Sequence, residues 1–427
     1  MKMTKILSLI LVLVMAVSCI VACGGDNTGD GGSSSKMKIT MWVSTTDGVK
    51  GQTLEQVEAF KAEMGYDFDI EIETVGEGDA GTQVLADVKT APDMYWFAQD
   101  QLPRLVLSNA LAKPGIKASE TIRNNNDEQS IIAASVGDTL YAYPLTSDNG
   151  YFLYYDKSVV KNPGSLEDII KDCQSRGKKI GFAVENAWIM ASFFFAQPVT
   201  GSGASATYGA PICNSTWTYS DDGKNPIAHA DTFNSANGLI AMKAMNQMTT
   251  SGVWVNADND FSGTAAMVTG IWNYDAARQA YDDNLGIAKL PTFTVDGQTY
   301  QLGSYKGCKL IGVKPQEDSK KAQICSELAL WLTNEENQLE RHYMFGWGPS
   351  NKVAQTDESV LEHPALNALA AQNKFAQPQG VIPGDWWTPA AFLGTASYKH
   401  DGGEVDEAWF LEALAEYQKT IDKMIVK

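Results

Sequence analysis

The sequence lacks the residue patterns on which metal and redox sites are built. Only four histidines occur among 427 residues, and none stands at the spacing of a metal-ligand pair. Six cysteines occur without any C-x-x-C pair. We therefore expect no structural metal and no cofactor. An even number of cysteines permits disulfides in an oxidising compartment, but we expect buried free thiols at Cys173, Cys213, Cys308 and Cys325.

Positive charge is scarce as well. The chain has 33 lysines and arginines against 51 aspartates and glutamates, which gives a formal net charge of -18. Binding to nucleic acid needs a basic surface that neutralises phosphates, so a nucleic-acid partner is not expected. The excess of acid favours solubility and does not by itself indicate a cationic ligand.

No apolar run reaches the roughly 20 residues of a membrane-spanning helix. Residues 6–17 form a short apolar run between Lys2 and Lys5 and the tetrad at 20–23, and this order is typical of an export signal at residues 1–22. The tetrad resembles a bacterial lipobox, which implies cleavage before Cys23 and lipidation of its thiol; an ordinary cleaved signal is the alternative. Two acyl chains suffice for stable anchoring.

The residues that follow this tetrad are mostly glycine, serine and aspartate. Residues 23–36 are therefore expected to form a flexible linker after the lipidated cysteine. Together, the signal, the lipid and the linker predict a protein held at the extracytoplasmic face of the bacterial cell membrane.

One motif suggests a nucleotide cofactor. Residues 76–81 (GEGDAG) match the dinucleotide-binding pattern between a predicted strand and a predicted helix. However, Glu77 and Asp79 would place carboxylates where a pyrophosphate must contact backbone amides. An extracytoplasmic protein would also lack a supply of the cofactor. We expect no nucleotide to bind here.

The signatures of hydrolases are incomplete. Residues 158–161 (SVVK) and 147–149 (SDN) match two elements of penicillin-binding serine enzymes in reversed order, and no Lys-Thr-Gly follows them. A Gly-x-Ser-x-Gly nucleophile motif is absent from the sequence. With 51 acids, a carboxylate pair for glycoside hydrolysis can always be chosen. A surface-anchored glycoside hydrolase therefore remains the enzyme alternative.

Strand and helix patterns alternate along the chain. Apolar residues alternate at 39–43 and 68–75, a helical stripe lies between them at 54–64, and a helix at 83–89 leads to the apolar run 94–97. This order predicts an α/β domain with a largely parallel sheet.

Later segments continue the α/β pattern. Ser165 and Gly177 are expected to begin and end a helix, with Asp168 as the capping-box acid. A strand is expected at 179–184. Further helices are predicted at 188–196, 232–250, 319–332 and 405–425. A chain of this length and pattern fits two α/β lobes.

Aromatic residues stand beside acids where strands are expected to end. A sugar ring has an apolar face that aromatic rings can cover and a rim of hydroxyls that carboxylates can bind. In open α/β sheets, ligands gather beyond the carboxyl ends of strands. The pattern therefore favours carbohydrate binding. The groups are Phe97 with Asp100, Trp188 with Glu185, Trp272 with Tyr274 and Asp275, and Trp386 and Trp387 after Asp385.

Five segments carry a family resemblance that spans nearly all of the mature chain. They are residues 91–100 (APDMYWFAQD), 143–157, 261–272, 285–293 and 405–408. In this order they resemble extracellular solute-binding proteins of the maltodextrin-binding type, which serve ABC importers. The resemblance implies a two-lobed, class II-like periplasmic-binding-protein fold in which a ligand lies between hinged lobes.

The resemblance also implies where the lobes divide. The N-terminal lobe is expected at 37–146 plus 305–350, and the C-terminal lobe at 147–304 plus 351–427. The protein is expected to act as a monomer without catalysis. It would capture an oligosaccharide, a maltodextrin-like α-glucan fragment or a different solute, and deliver it to an ABC permease and its ATPase.

Several site residues follow from the resemblance. The stacking aromatics correspond to Phe97, Trp188 and Trp272, with Trp386 or Trp387 as the fourth, and Tyr274 stands beside them. The hydroxyl-binding acids correspond to Asp47, Asp100, Asp148 and Glu185. One departure is Gln101, which stands where the family usually has an arginine.

Overall fold

The structure is a computed structural model that describes residues 36–220, 225–380 and 382–426. The predicted signal, the lipidation site Cys23 and the linker up to residue 35 lie outside the described residues. Within the described part of the chain, no helix is long and apolar enough to cross a membrane.

The first lobe is built on a five-stranded mixed sheet. Lys38–Val43 lies parallel to its neighbours on both sides, whereas Lys309–Val313 returns from late in the chain and runs antiparallel to Met94–Ala98. The sheet therefore joins segments more than 200 residues apart. Its strands, in spatial order, are Asp69–Thr74, Lys38–Val43, Met94–Ala98, Lys309–Val313 and Tyr143–Pro144.

Helices cover this sheet and bury a core that includes Ile39, Trp96, Leu310 and Leu328. The helices of the first lobe are Val49–Met64, Glu77–Ala86, Leu102–Leu107, Ile116–Asn125, Glu128–Ala133, Ser319–Leu332 and Glu335–Phe345. A two-stranded ribbon, Ser135–Val136 with Thr139–Leu140, completes the lobe.

The second lobe is built on a seven-stranded sheet centred on the long strand Asn149–Asp156. Its core includes Tyr151, Phe194, Met245 and Leu414. In spatial order the strands are Trp254–Val255, Lys179–Gly181, Thr264–Gly270, Asn149–Asp156, Ser304–Gly307 and Ala376–Pro378, with Leu285–Ala288 also paired to the central strand. Its helices are Leu166–Arg176, Ala187–Phe194, Ala236–Thr249, Tyr274–Tyr281, Glu358–Glu362, Pro364–Asn373, Trp387–Ala396 and Glu407–Asp422.

Two smaller sheets extend the second lobe. One has four strands, Thr207–Tyr208, Gln197–Thr200, Gln298–Gln301 and Thr292–Val295, and the other is the hairpin of Trp217–Tyr219 with Pro226–His229.

Local capping explains several helix ends. The Ser165 hydroxyl accepts a hydrogen bond from the backbone N–H of Asp168 at 3.2 Å, and Gly177 ends the helix in the left-handed region at φ 60°, as the sequence predicts. The helix predicted at 83–89 instead spans Glu77–Ala86. The glycine-rich segment, expected to precede the helix, forms its first turn, where Glu77 and Asp79 complement the helix dipole.

The chain passes between the lobes in three segments that lie side by side. The backbone N–H groups of Leu145 and Ser147 donate to the carbonyl oxygens of Lys309 (3.0 Å) and Gly348 (2.9 Å), so all three segments are bonded together. Strand Ser304–Gly307 belongs to the second sheet and Lys309–Val313 to the first. The boundaries of the two lobes stay a prediction.

Gly394 packs the helix Trp387–Ala396 directly against the backbone of the second lobe. A Cβ at this position would lie 1.8 Å from the Val184 carbonyl oxygen, next to Glu185. We expect Gly394→Ala to lower the free energy of unfolding by about 1–3 kcal/mol, because the helix must shift. Gly51→Ala is the matched control, since this helical glycine has no atom within 4 Å of the added Cβ.

Chemical denaturation of both variants measures the difference. The control is expected to be more stable than wild type by up to about 1 kcal/mol through helix propensity. Equal stability of the two variants would contradict the close packing at Gly394.

Candidate binding cleft

A cavity of about 980 Å³ opens between the two lobes. This volume lies at the upper end of small-molecule sites. The first lobe contributes mainly polar and charged side chains, and the second contributes three tryptophans and several amides. The residues around the cavity include Ser44, Thr46, Glu77, Thr82, Asp100, Arg104 and Lys309 from the first lobe and Asn149, Glu185, Asn186, Trp188, Trp272, Gln379, Trp387 and Thr388 from the second.

Two tryptophans form the aromatic wall of the second lobe. The rings of Trp188 and Trp272 lie 6.1 Å apart between centroids at an interplanar angle of 38°. Trp188 is the second residue of a helix that Asn186 caps, and its ring packs edge-on against buried Tyr151 at 4.6 Å. Its indole Nε1–H donates to Gln379 Oε1 at 3.1 Å. These contacts fix the ring at the cleft without using its open face.

The position of the Trp272 ring depends on Gly270, which has no side chain. A Cβ on Gly270 would lie 2.1 Å from the Trp272 ring, so the glycine lets the ring fold back over its own strand end. The side chain stays 37% exposed, which is unusual for a ring of this size and leaves a face open to the cleft. Trp387 adds a third ring at the start of its helix.

Charged side chains form the opposite wall, and two of them, Glu77 and Lys309, form an ion pair. Asp100 and Arg104 are four residues apart on one helical segment. Burial raises the pKa of Asp100 to about 6, and Arg104 and a hydrogen bond from Gln379 partly oppose that rise. Beside them, Lys309 Nζ lies 3.4 Å from Glu77 Oε1 and 4.3 Å from the centre of the Trp347 ring.

Hydrogen-bonding capacity remains unused on this wall. Glu77 Oε1 and Arg104 Nε are buried and have no hydrogen-bond partner among the described residues. Buried polar atoms of this kind are costly unless something else satisfies them. The wall therefore has an acceptor at Glu77 that forms an ion pair with Lys309 but no hydrogen bond.

Gln101 has a structural task. It is fully buried, and its amide Nε2 donates to the carbonyl oxygens of Glu77 (2.8 Å) and Gly78 (2.6 Å), while its Oε1 accepts from the backbone N–H of Gly81. A Cβ on Gly81 would lie 2.8 Å from the Gln101 Cβ. Gly81 thus lets the helix approach Gln101, and the helix places Glu77 in the cleft.

The structure brings five of the sequence-predicted residues to the cleft: Asp100, Glu185, Trp188, Trp272 and Trp387. The Glu185 carboxylate accepts hydrogen bonds from the Tyr398 hydroxyl and, at 3.1 Å, from Asn256 Nδ2, which orient it.

Two predicted aromatics lie elsewhere, and their rings have no face open to the cleft. Phe97 is fully buried in the first core because its central strand is covered on both faces, and it packs on Tyr95 at 5.7 Å. Trp386 is fully buried in the second core and donates to the Tyr417 hydroxyl at 2.7 Å. Adjacent residues at a helix start point in different directions, so Trp387 alone of this pair faces the cavity.

The other three predicted residues also lie outside the cavity lining. Asp148 is buried at the lobe crossings, where its Oδ2 accepts from the Gly348 N–H at 2.7 Å and burial raises its pKa. Asp47 is exposed just beyond cleft residues 44–46. Tyr274 packs against His363 at 4.8 Å and lies beneath Arg278, in a separate depression.

Sequence reasoning missed several cleft residues, above all Lys309 and Gln379. Lys309 carried a usable signal, because a lysine that opens the apolar strand Lys309–Val313 must be buried with a partner or at a site. Gln379 carried none, since it reaches Asp100 and Trp188 only through the folding of distant segments.

The predicted free thiols are confirmed, since Cys173, Cys213, Cys308 and Cys325 are all buried and none is in a disulfide. In residues 36–220, 225–380 and 382–426, no group of three potential ligands is arranged to hold a metal ion.

The raised pKa of Asp100 makes a prediction about pH. Between pH 3.8 and about 6 the folded protein keeps a proton that the unfolded chain has lost, so the Asp100 contribution lowers the free energy of unfolding as the pH rises through this window. NMR titration of the carboxyl carbon should give a midpoint near pH 6. Arg104→Gln should raise that midpoint further, and a wild-type midpoint near 3.8 would contradict the enclosure of Asp100.

Known proteins share this architecture. A galactooligosaccharide-binding protein from Bacillus subtilis (strain 168) is 25% identical over 442 residues, covering 98% of this chain and 98% of its own. A protein solved with acarbose is 26% identical with a TM-score of 0.77, over 92% of this chain and 100% of that one. The maltodextrin binding protein of L. casei BL23, solved without ligand, is 21% identical with a TM-score of 0.73, over 90% and 99%.

These likenesses confirm the predicted two-lobed α/β fold of the maltose-binding type. The family model for a bacterial extracellular solute-binding protein matches residues 55–368, which is most of the chain. The family and these relatives are binding proteins and not enzymes, so the glycoside hydrolase alternative falls away. The chain belongs to the family of bacterial extracellular solute-binding proteins.

Proposed function

We propose that this protein captures an oligosaccharide in the cleft between its lobes. The observation that carries the proposal is the opposition of two unlike walls. Trp188 and Trp272 offer ring faces on one side. The charged residues Asp100 and Arg104 and the Glu77–Lys309 ion pair stand on the other. A sugar has both an apolar C–H face and a rim of hydroxyls, so it matches both walls at once.

The polar wall suits hydroxyl groups in particular. A hydroxyl both donates and accepts, and this wall holds carboxylate acceptors, Asp100 and Glu77, together with cationic donors, Arg104 and Lys309. Glu77 Oε1 is ion-paired with Lys309 but accepts no hydrogen bond among the described residues, and such a ligand would supply one. A cleft of about 980 Å³ has room for several sugar rings.

For the sugar, we propose a maltodextrin-like α-glucan fragment. The relative solved with acarbose and the maltodextrin binding protein of L. casei BL23 support this choice. A galactooligosaccharide is the second candidate, because the B. subtilis relative of that name matches almost the full length of both chains.

In the proposed mechanism, the sugar binds the open protein, touches both lobes and shifts the population toward the closed form. The three bonded crossing segments act as the hinge of this motion. The closed protein then delivers its cargo to an ABC permease driven by an ATPase. We propose that a lipid on Cys23 holds the protein at the extracytoplasmic membrane face, with residues 24–36 as the tether.

The sugar hypothesis is tested by calorimetry with maltotriose, maltotetraose, acarbose and galactotriose. We expect Trp272→Ala to weaken binding of the best sugar by about 1–3 kcal/mol, or roughly 5- to 150-fold, because the stacking face is lost. Trp42→Ala is the control. This half-buried tryptophan does not line the cleft, and its indole Nε1–H donates to Glu73 Oε2 at 3.0 Å. Absence of heat with every sugar would reject the proposal.

The anchor is tested independently of the sugar. Cys23→Ala should move the protein from the membrane fraction to the medium or the soluble fraction, because the acyl chains that stabilise membrane binding by about 0.8 kcal/mol per buried CH₂ are absent. Fractionation of cells that express either form, with metabolic labelling by a fatty acid, provides the measurement. A Cys23→Ala protein that stays with the membrane would contradict the lipid anchor.

A further inference from the structure

The two lobes touch each other outside the hinge, at the edge of the cleft. Arg104 belongs to the first lobe, where its neighbours Leu102 and Leu105 lie in the core. Gly384 belongs to the second lobe, where nearby Ile382 lies in that core. A Cβ on Gly384 would lie 2.6 Å from Arg104 Cδ and 3.0 Å from its Nη1. The arginine side chain therefore rests on the bare backbone of the opposite lobe.

The backbone conformation at position 384 does not require glycine. Gly384 is absent from the glycines with positive φ, so alanine could adopt its conformation. The three atoms nearest to the missing Cβ all belong to Arg104. Glycine at 384 thus leaves space for the Arg104 side chain and is not needed for the local backbone conformation.

A second contact joins the same two segments. Gln379, five residues before Gly384, hydrogen-bonds the Asp100 carboxylate and accepts from Trp188 Nε1. Asp100 and Arg104 lie four residues apart on one helical face, and Gln379 and Gly384 meet them from the other side. The hairpin residue Tyr219 also lies near enough to Arg104 to feel its charge.

We propose that Arg104 is the positioning residue of cleft closure: its side chain seats on Gly384 of the opposite lobe, and this seat holds the Asp100–Arg104 pair against the second lobe. This inference rests on the proposed function, because closure matters only for a protein that closes on a ligand. Seating has two consequences. It keeps the guanidinium near Asp100, and it adds a contact between the lobes outside the crossing segments.

The seat is tested with Gly384→Ala. The added methyl displaces a flexible side chain and leaves the backbone intact, so the ligand-free variant should melt close to wild type. We expect it to bind maltotriose at least about tenfold more weakly, because the closed form loses its seat. Its Asp100 pKa should also rise, since the guanidinium moves away. Gly115→Ala, an exposed glycine with no atom within 4 Å of the added Cβ, is the matched control.

A double-mutant cycle separates the seat from a general effect of the methyl group. In an Arg104→Ala background, Gly384→Ala should cause no further loss of maltotriose affinity, because there is no side chain left to displace. An equal loss in both backgrounds would overturn the inference, and so would wild-type affinity and wild-type Asp100 pKa in Gly384→Ala.

Distances between spin labels at Glu120→Cys and Glu412→Cys, one exposed helical site on each lobe, report closure directly. We expect Gly384→Ala to shift these distances toward the open form. Distributions that match wild type both with and without maltotriose overturn the inference, whether or not the sugar binds. Failure of wild type to bind any sugar in the panel would instead reject the proposed function. The Asp100 pKa and the label distances would then still test whether Arg104 seats on Gly384.

Discussion

The three bonded crossings between the lobes are the constraint on which the rest of the structure depends. Leu145 and Thr146 both donate backbone hydrogen bonds to the Lys309 carbonyl, at 3.0 and 3.2 Å, and the neighbouring crossing is tied by Asp148 to the Gly348 N–H at 2.7 Å. This bonded band joins the two lobes. Lys309 belongs to the band through its backbone and to the cleft through its ammonium group, so the junction of the lobes and the polar wall share one residue.

The cleft is also prepared before any ligand arrives. Asn186 and Gln379 fix Trp188, Asn256 and Tyr398 orient Glu185, and Gln101 holds the helix that presents Glu77. Side chains that are already ordered lose little conformational entropy on binding. The same buried polar atoms work against ligands that cannot pair with them, because an unsatisfied carboxylate or guanidinium is costly. Affinity and selectivity thus have one physical source.

The sequence predicted those parts of the site that local rules govern. Asp100, Glu185 and Trp272 stand just beyond strand ends, and Trp188 is the second residue of a capped helix, so the rule that ligands gather at strand ends located them. That rule cannot give the direction of a side chain in a strand covered on both faces. It therefore did not predict that Phe97 lies in the core.

Long-range features were beyond local rules. Gln379 is 279 positions from Asp100 and meets it only after the chain has crossed between the lobes three times. The overall fold followed from alternating strand and helix patterns together with the family resemblance. The early start of the helix Glu77–Ala86 did not, because a buried glutamine outside the segment stabilises its glycine-rich first turn.

The four cysteines have a chemical consequence for a protein of the extracellular family. The reactive form of cysteine is the thiolate. Burial raises the pKa of Cys173, Cys213 and Cys325 to about 12, and it raises the pKa of Cys308 well above its usual value. At neutral pH these sulfurs stay protonated and out of reach of oxidants. The body formed by the described residues can therefore work in an oxidising environment without a disulfide framework, and its four buried thiols resist cross-linking to neighbouring molecules.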